Sequence, residues 1–208
     1  MIKNIIFDWS GVVKDAVGAQ LWKVNKIFEK YGVKEISLEE FKENFKLPYM
    51  ILYNMYLPDL KKEDQDIFYK ELSLREDCPH SISFPGITDL IKRLKEEGYY
   101  LAVVSSDLPE TLLPEIKEYN LENIFEDIIN NTHDKTEAVN NLIIKNKLDK
   151  NNTYFIGDSN HEVEVAKSTG IKSIAVTWGF ATEKNLRLEN PDFVAHDVKE
   201  LEEILFTE

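Results

Sequence analysis

The feature that most constrains the fold is a short apolar run near the start of the chain that ends on an aspartate. The run 5–7 is rich in β-branched residues, which predicts a buried strand, and it is followed by Asp8, Ser10 and Gly11. We therefore expect Asp8 at the carboxyl end of a strand. In open α/β sheets ligands bind at that edge, because loops leave there and helix N-termini converge on it. Taken alone, the run is equally typical of a first strand whose aspartate only starts a turn.

Residues 15–84 have the pattern of helices. Apolar residues recur at helical spacing from Leu21 to Tyr31, and Ser37 with Glu40 three residues later is a capping-box signature. Two more helical segments are predicted at about 48–57 and 61–74, the second of them charged on one side and apolar on the other. We expect no strand in this part of the chain.

From residue 84 onward the pattern changes to strands that alternate with helices. The predicted strands are residues 100–104, 128–129, 153–156, 174–176 and 193–194. Such alternation implies right-handed crossovers and a parallel sheet flanked by helices. We therefore expect a Rossmann-like α/β core domain made of residues 1–14 and 85–208, with a small all-helical domain, residues 15–84, inserted after the first strand.

Charge and composition narrow the classes of function. The 25 basic and 38 acidic residues give a net charge of −13, which disfavours nucleic acid and anionic membranes as partners. The single cysteine, Cys78, excludes an internal disulfide and a multi-cysteine metal site, and suits a reducing compartment. The chain enters its first predicted strand at once and has no apolar run near the ~18 residues of a membrane span. We expect no export signal, no membrane span and a cytoplasmic location.

Three later stretches place chemically useful side chains directly after predicted strands or at a helix start. Ser105 and Ser106 could hold phosphate oxygens beside a helix N-terminus, although a helix cap is the commoner role of such a serine. Lys135 could neutralise a phosphoryl group or could be a solvated surface lysine. Asp158 and Glu162, four residues apart at a strand-to-helix turn, suit a hard cation such as Mg²⁺. A buried strand rarely ends in two acids without a counter-ion.

Together with the Asp8 run, these stretches resemble the haloacid dehalogenase-like hydrolase superfamily, and among its members the phosphoglycolate phosphatase-like enzymes with a helical cap after the first motif. In that family the same four motifs follow one another in this order. The resemblance implies catalytic roles for Asp8, Ser10 and Lys135, substrate binding by Ser105, Ser106 and Lys135, and a metal site of Asp8, the backbone carbonyl of Ser10, Asp158 and Glu162.

The resemblance implies a Mg²⁺-dependent phosphatase that acts on a small phosphorylated metabolite through an aspartyl phosphate on Asp8. Phosphatases of this family usually carry a second aspartate two residues after the nucleophile, which protonates the leaving group and then activates water. This chain has Ser10 there. A serine hydroxyl is too weak an acid for that task, and losing a positioned acid or base costs a factor of ~10²–10⁴ in rate.

Two other functions stay open at this point. The sequence Asp-Trp-Ser-Gly at residues 8–11 resembles the Asp-Trp-Ala-Gly of phosphonoacetaldehyde hydrolases, which also lack the second aspartate and form a Schiff base through a cap lysine. That likeness implies cleavage of a carbon–phosphorus bond with Lys46 or Lys42 as the lysine. The third interpretation is a catalytically silent phosphate-binding protein that keeps the fold.

Overall fold

The computed structural model describes residues 3–132 and 134–207. In chain order the elements are β1 (Asn4–Phe7), β2 (Lys14–Asp15), α1 (Val17–Lys30), α2 (Leu38–Asn44), α3 (Met50–Tyr56), α4 (Lys62–Ser73), β3 (Ile82–Ser83), α5 (Ile87–Glu96), β4 (Tyr100–Val104), α6 (Pro109–Glu118), β5 (Asp127–Ile129), α7 (Lys135–Asn146), β6 (Thr153–Gly157), α8 (Asn160–Thr169), β7 (Lys172–Val176), α9 (Glu183–Leu188), β8 (Phe193–Ala195) and α10 (Val198–Thr207). Within these ranges, none of the helices has both the length and the apolar character needed to cross a bilayer.

Six of the described strands form one parallel sheet with β1 near its centre. The order across the sheet is β5-β4-β1-β6-β7-β8, and every neighbouring pair runs in the same direction. Ile5 lies opposite Leu101 of β4 on one side and Tyr154 of β6 on the other. The expectation of an α/β fold with a parallel sheet flanked by helices is confirmed.

The apolar runs of the central strands are explained by burial on both faces of the sheet. Ile5 and Phe7 pack with α5, α6 and α10 on one face, whereas Ile6 packs with α7 and α8 on the other. All three side chains are completely buried. The sheet is therefore held rigidly between two layers of helices, and the residues that follow β1 start from a fixed position.

The helices α1 to α4, called the helical insertion below, have an apolar cluster of their own. Phe28, Phe41 and Tyr53 are fully buried at its centre, and Phe180, from the loop after β7, also belongs to it. The division into a core domain (1–14 and 85–208) and a cap domain (15–84) stays a prediction, and residues 1, 2, 133 and 208 of it lie outside the described residues.

Two short strands join the helical insertion to the sheet. Lys14–Asp15 pairs antiparallel with Ile82–Ser83, and the Phe84 N–H donates to the Val13 carbonyl at 2.9 Å. The expectation that residues 15–84 contain no strand is therefore wrong at both ends of that range. Strands of two residues are too short to show a period of two in the sequence. The helix Glu183–Leu188 is likewise not anticipated from the pattern.

Candidate active site

Asp8 is placed at the carboxyl edge of the sheet by the pairing of β1 with β6. Its N–H donates to the Ile156 carbonyl at 2.9 Å, which extends the strand pairing by one residue. The carboxylate is buried, and its Oδ1 atom accepts from the Trp9 N–H at 2.7 Å and lies 2.9 Å from Lys135 Nζ. Among the described residues, no donor contacts Oδ2. One oxygen of Asp8 is thus fixed and the other is available for a reacting atom.

Lys135, the first residue of α7, lies between two carboxylates. Its Nζ atom is 2.9 Å from Asp8 Oδ1 and 2.7 Å from Glu162 Oε1. The other Glu162 oxygen, Oε2, accepts from the N–H and the hydroxyl of Ser159 in a capping box at the start of α8. Both Glu162 oxygens are therefore engaged by the protein. This favours a role for Glu162 in holding Lys135 toward Asp8.

Asp158 follows β6 and is surrounded by positions where only glycine fits. Its Oδ2 atom accepts from the Phe180 N–H at 2.6 Å. A Cβ atom on Gly11 would lie 2.0 Å from that oxygen, and one on Gly179 would lie 2.1 Å from it. Gly11 also has a φ of +91°, which L side chains rarely adopt. The backbone thus approaches the Asp158 carboxylate closely from two sides.

The electrostatics of the site follow from the burial of these groups. Burial, followed by the nearby carboxylates, raises the pKa of Asp158, and burial raises the pKa of Asp8 to about 7 even though Lys135 opposes the shift. Burial alone would lower the pKa of Lys135, but the Asp8 and Glu162 carboxylates outweigh it and raise that pKa. Burial would raise the pKa of Glu162, but Lys135 outweighs it and lowers that pKa. Lys135 is therefore a permanent cation here.

The site fits a divalent cation. Oxygen atoms of Asp8, Asp158 and Glu162 lie within 4.8 Å of one another, and all three residues are buried. Lys135 supplies one positive charge to these three carboxylates, so ionised acids leave an uncompensated negative charge. Carboxylate oxygens are the ligands that Mg²⁺ prefers. The donor set and the excess charge both suit this ion.

Comparison with known proteins agrees with this geometry. A family model described as haloacid dehalogenase-like hydrolase matches residues 5–176. This range includes the four site residues Asp8, Lys135, Asp158 and Glu162. The chain belongs to the haloacid dehalogenase-like hydrolase family. The resemblance found in the sequence is thereby confirmed, and the protein is a hydrolase.

Individual relatives of this haloacid dehalogenase-like hydrolase cover most of its length. A phosphoglycolate phosphatase from Aliivibrio fischeri is 27% identical over 220 residues, which is 98% of this chain and 96% of the relative. A pyrophosphatase from Listeria innocua is 24% identical over 144 residues, which is 67% of this chain and 66% of the relative. A haloacid dehalogenase-like protein from Streptococcus pneumoniae has a TM-score of 0.81 at 22% identity, with 100% of this chain and 99% of the other covered.

The serines predicted to bind substrate have different environments in this hydrolase. Ser105 is buried directly after β4, and its Oγ atom accepts from the Asp107 N–H at 3.0 Å. Ser106 is exposed. The Ser10 hydroxyl donates to Asp107 Oδ2 at 2.8 Å. The structure therefore brings Ser10 and Ser105 together through a residue to which the sequence pattern gave no role.

Asp107 belongs to a small network of charged side chains beside the site. Lys14 Nζ lies 2.6 Å from Glu115 Oε1 and 3.7 Å from Asp107 Oδ2. The Trp9 indole N–H donates to Glu115 Oε2 at 2.8 Å. Sequence reasoning missed this network because Ser10 and Asp107 are 97 residues apart and no local pattern links them. The only signal was an aspartate directly after the two serines that follow β4.

The two lysines of the helical insertion considered for a Schiff base differ in their surroundings. Lys42 is half-buried, and its Nζ atom donates to the Thr177 carbonyl at 3.3 Å. Burial lowers its pKa, although Asp158 opposes the shift. Lys46 is exposed. Lys42 is thus close enough to Asp158 for the two charges to interact.

Proposed function

We propose that this protein is a Mg²⁺-dependent phosphatase that acts on a small phosphorylated metabolite through an aspartyl phosphate on Asp8. The observation that carries the proposal is the contact of Lys135 with Asp8 Oδ1 while Oδ2 is left for a reacting atom. A cytoplasmic location and the assignment of residues 15–84 as a cap over the site are parts of the same proposal. The phosphoglycolate phosphatase and pyrophosphatase names of the relatives support a phosphorylated substrate.

In this proposal Asp8 is the nucleophile, because a carboxylate can form a covalent intermediate with phosphorus. Its orientation comes from the Trp9 N–H and from Lys135, which hold Oδ1. Lys135 also neutralises charge on the transferred phosphoryl group, together with the buried hydroxyl of Ser105. Ser106, which is exposed, is assigned to substrate binding at the rim.

The proposed metal ligands are Asp8, the Ser10 carbonyl and Asp158, with Glu162 contributing through water because both its oxygens already accept bonds from the protein. Bound there, Mg²⁺ would supply positive charge next to the phosphoryl oxygens. The Phe180 N–H and the close approach of Gly179 keep the Asp158 carboxylate in place for this role. The Glu162 Oε1 atom accepts from Lys135 Nζ at 2.7 Å and keeps that ammonium beside Asp8 Oδ1.

The test is hydrolysis of p-nitrophenyl phosphate with and without Mg²⁺. We expect turnover that requires Mg²⁺ and that Asp8→Asn abolishes, because the change is nearly isosteric and removes the nucleophile. Asp89→Asn, at an exposed carboxylate in the first turn of α5, is the matched control and should keep full activity. A wild-type protein without turnover would favour the silent phosphate-binding protein.

A second candidate function, carbon–phosphorus bond cleavage, is favoured by one observation. Lys42 is half-buried with a lowered pKa, as a lysine that forms a Schiff base requires. Borohydride reduction in the presence of phosphonoacetaldehyde should then attach the substrate to wild-type protein and to Lys46→Met, and not to Lys42→Met. Absence of trapping in the wild type would exclude this candidate.

A further inference from the structure

The proposed phosphatase reaction lacks a proton donor at position 10, and the structure supplies a carboxylate beside that position. Asp107 Oδ2 accepts from the Ser10 hydroxyl at 2.8 Å. The Asp107 N–H donates to Ser105 Oγ, so the same residue is also tied to the predicted phosphate-binding serine. A carboxyl group at this point can exchange protons, which a serine hydroxyl does far less readily.

Among the described residues, the Asp107 carboxylate is engaged only by the Ser10 hydroxyl and, at longer range, by Lys14. The side chain does not cap α6, whose N-cap is Leu108 without a side-chain bond. The nearest cation, Lys14, is paired at 2.6 Å with Glu115 and lies 3.7 Å from Asp107. Both Glu115 oxygens are engaged, one by Lys14 and one by Trp9.

By contrast, among the described residues no donor contacts Asp107 Oδ1, and 21% of the side chain is exposed. The Asp107 backbone is nevertheless fixed, because its carbonyl accepts from the Asn131 N–H at 2.8 Å. Asp107 is therefore a positioned carboxylate with one oxygen held by Ser10 and one oxygen open. Such a group suits proton exchange with a substrate atom or a water molecule.

We propose that Asp107 is the residue that exchanges a proton with the leaving group and with the attacking water, while Ser10 orients its carboxyl group. The inference rests on the proposed phosphatase function. It assigns to Asp107 the catalytic task of the second aspartate that the family usually carries at the position of Ser10.

The proposed reaction has two steps, and Asp107 takes part in both. An Asp8 oxygen bonds to phosphorus, the bond from phosphorus to the leaving oxygen breaks, and that oxygen takes the proton carried by the Asp107 carboxyl group. A water oxygen then bonds to phosphorus, one of its protons passes to the Asp107 carboxylate, and the bond between Asp8 and phosphorus breaks. Inorganic phosphate is released and both carboxyl groups return to their starting forms.

The test compares Asp107→Asn with wild type on two substrates. Ethyl phosphate has a poor leaving group that needs a proton, whereas p-nitrophenolate departs largely unaided. We expect a fall of ~10²–10⁴ in the hydrolysis of ethyl phosphate. With p-nitrophenyl phosphate we expect a rapid burst of about one p-nitrophenolate per enzyme followed by slow turnover, and a phosphorylated Asp8 detectable by mass, because water attack has lost its base.

Two further variants separate proton exchange from a purely structural role. Ser10→Asp in the Asp107→Asn protein should restore hydrolysis of ethyl phosphate by at least about ten-fold, since it returns a carboxyl group to the same place. Glu110→Gln, at an exposed carboxylate three residues after Asp107, should leave both rates unchanged. Melting temperatures identify any variant that has not folded. Asp107→Glu, which keeps the acid, should retain more activity on ethyl phosphate than Asp107→Asn does.

The outcomes distinguish this inference from the proposed function. Asp8-dependent turnover by the wild type with unchanged rates in Asp107→Asn would overturn the role of Asp107 alone. Equal losses on both substrates without a burst, or no rescue by Ser10→Asp, would also overturn it. Absence of any wild-type turnover would overturn the phosphatase proposal, and the role of Asp107 with it.

Discussion

Lowering the pH should stabilise the metal-free protein, and the Asp8 carboxyl group should account for much of the effect. Burial raises the pKa of Asp8 from the ordinary value of 3.8 to about 7. The folded protein therefore binds this proton more tightly than the unfolded chain does. The resulting stability is fully present below the pKa of the unfolded chain and is lost as the pH rises toward 7. Burial and the neighbouring carboxylates raise the pKa of Asp158, which acts in the same direction.

The size of this loss of stability follows from the difference between the folded and unfolded pKa values of Asp8. Between about pH 5.5 and about pH 8 a carboxyl group with these two pKa values removes on the order of 2 kcal/mol from the free energy of unfolding. For a domain of this size that corresponds to a fall of roughly 4–8 °C in the melting temperature. Saturating Mg²⁺ should make the fall smaller, because a cation bound to the ionised carboxylates competes with protons.

The assay is thermal unfolding of metal-free wild type, Asp8→Asn and Asp89→Asn at the two pH values. The fall should be several degrees smaller in Asp8→Asn and unchanged in Asp89→Asn. Hydrogen bonds to Glu200 and Glu183 raise the pKa of His196, so its contribution to the stability of the protein is also lost as the pH rises. This contribution is the same in all three proteins and cancels in the comparison. An Asp8→Asn protein with the full wild-type fall would refute the assignment of the effect to Asp8.

Two more predictions follow from the metal site. Mg²⁺ at about 100 times its dissociation constant should stabilise the protein by about 2.7 kcal/mol, seen as a rise of roughly 5–10 °C in the melting temperature, and Asp158→Ala should remove that rise. Gly179→Ala places a Cβ atom 2.1 Å from Asp158 Oδ2 and should lower Mg²⁺-dependent turnover of p-nitrophenyl phosphate by about 10²-fold. Gly18→Ala, where nothing lies within 4 Å, should keep wild-type turnover; equal rates in the two alanine variants would contradict the steric argument.

The sequence predicts the sheet and the ends of its strands well because both depend on local pattern. The apolar run 5–7, buried on both faces, leads directly to Asp8, and the alternation of later strands with helices requires a parallel sheet. The start of α2 also follows from spacing alone, because the Ser37 side chain accepts from the Glu40 N–H as the pattern predicts. Features of this kind depend on residues that are close together in the chain, so a single sequence is enough to predict them.

The parts of the site that the sequence does not predict depend on contacts between distant segments. The bond between Ser10 and Asp107 joins the loop after β1 to the loop after β4, and neither loop has a pattern that specifies the other. The pairing of Lys14 with Ser83 is of the same kind. The side-chain contacts of Glu162 were not predicted either. The four-residue spacing of Asp158 and Glu162 indicates two acids near a metal, but it does not show that Lys135 binds one of them.

Phe180 connects the helical insertion to the reacting groups within a single residue. Its ring stacks on Phe45 at a centroid distance of 4.8 Å and contacts Phe41 edge-on, while its own N–H holds Asp158 Oδ2 at 2.6 Å. A movement of the helices away from the sheet would have to separate these rings or pull on the backbone that orients Asp158. If residues 15–84 act as the proposed cap, its opening would therefore disturb the orientation of Asp158, and a mutation at Phe45 would shift the Asp158 carboxylate without contacting it.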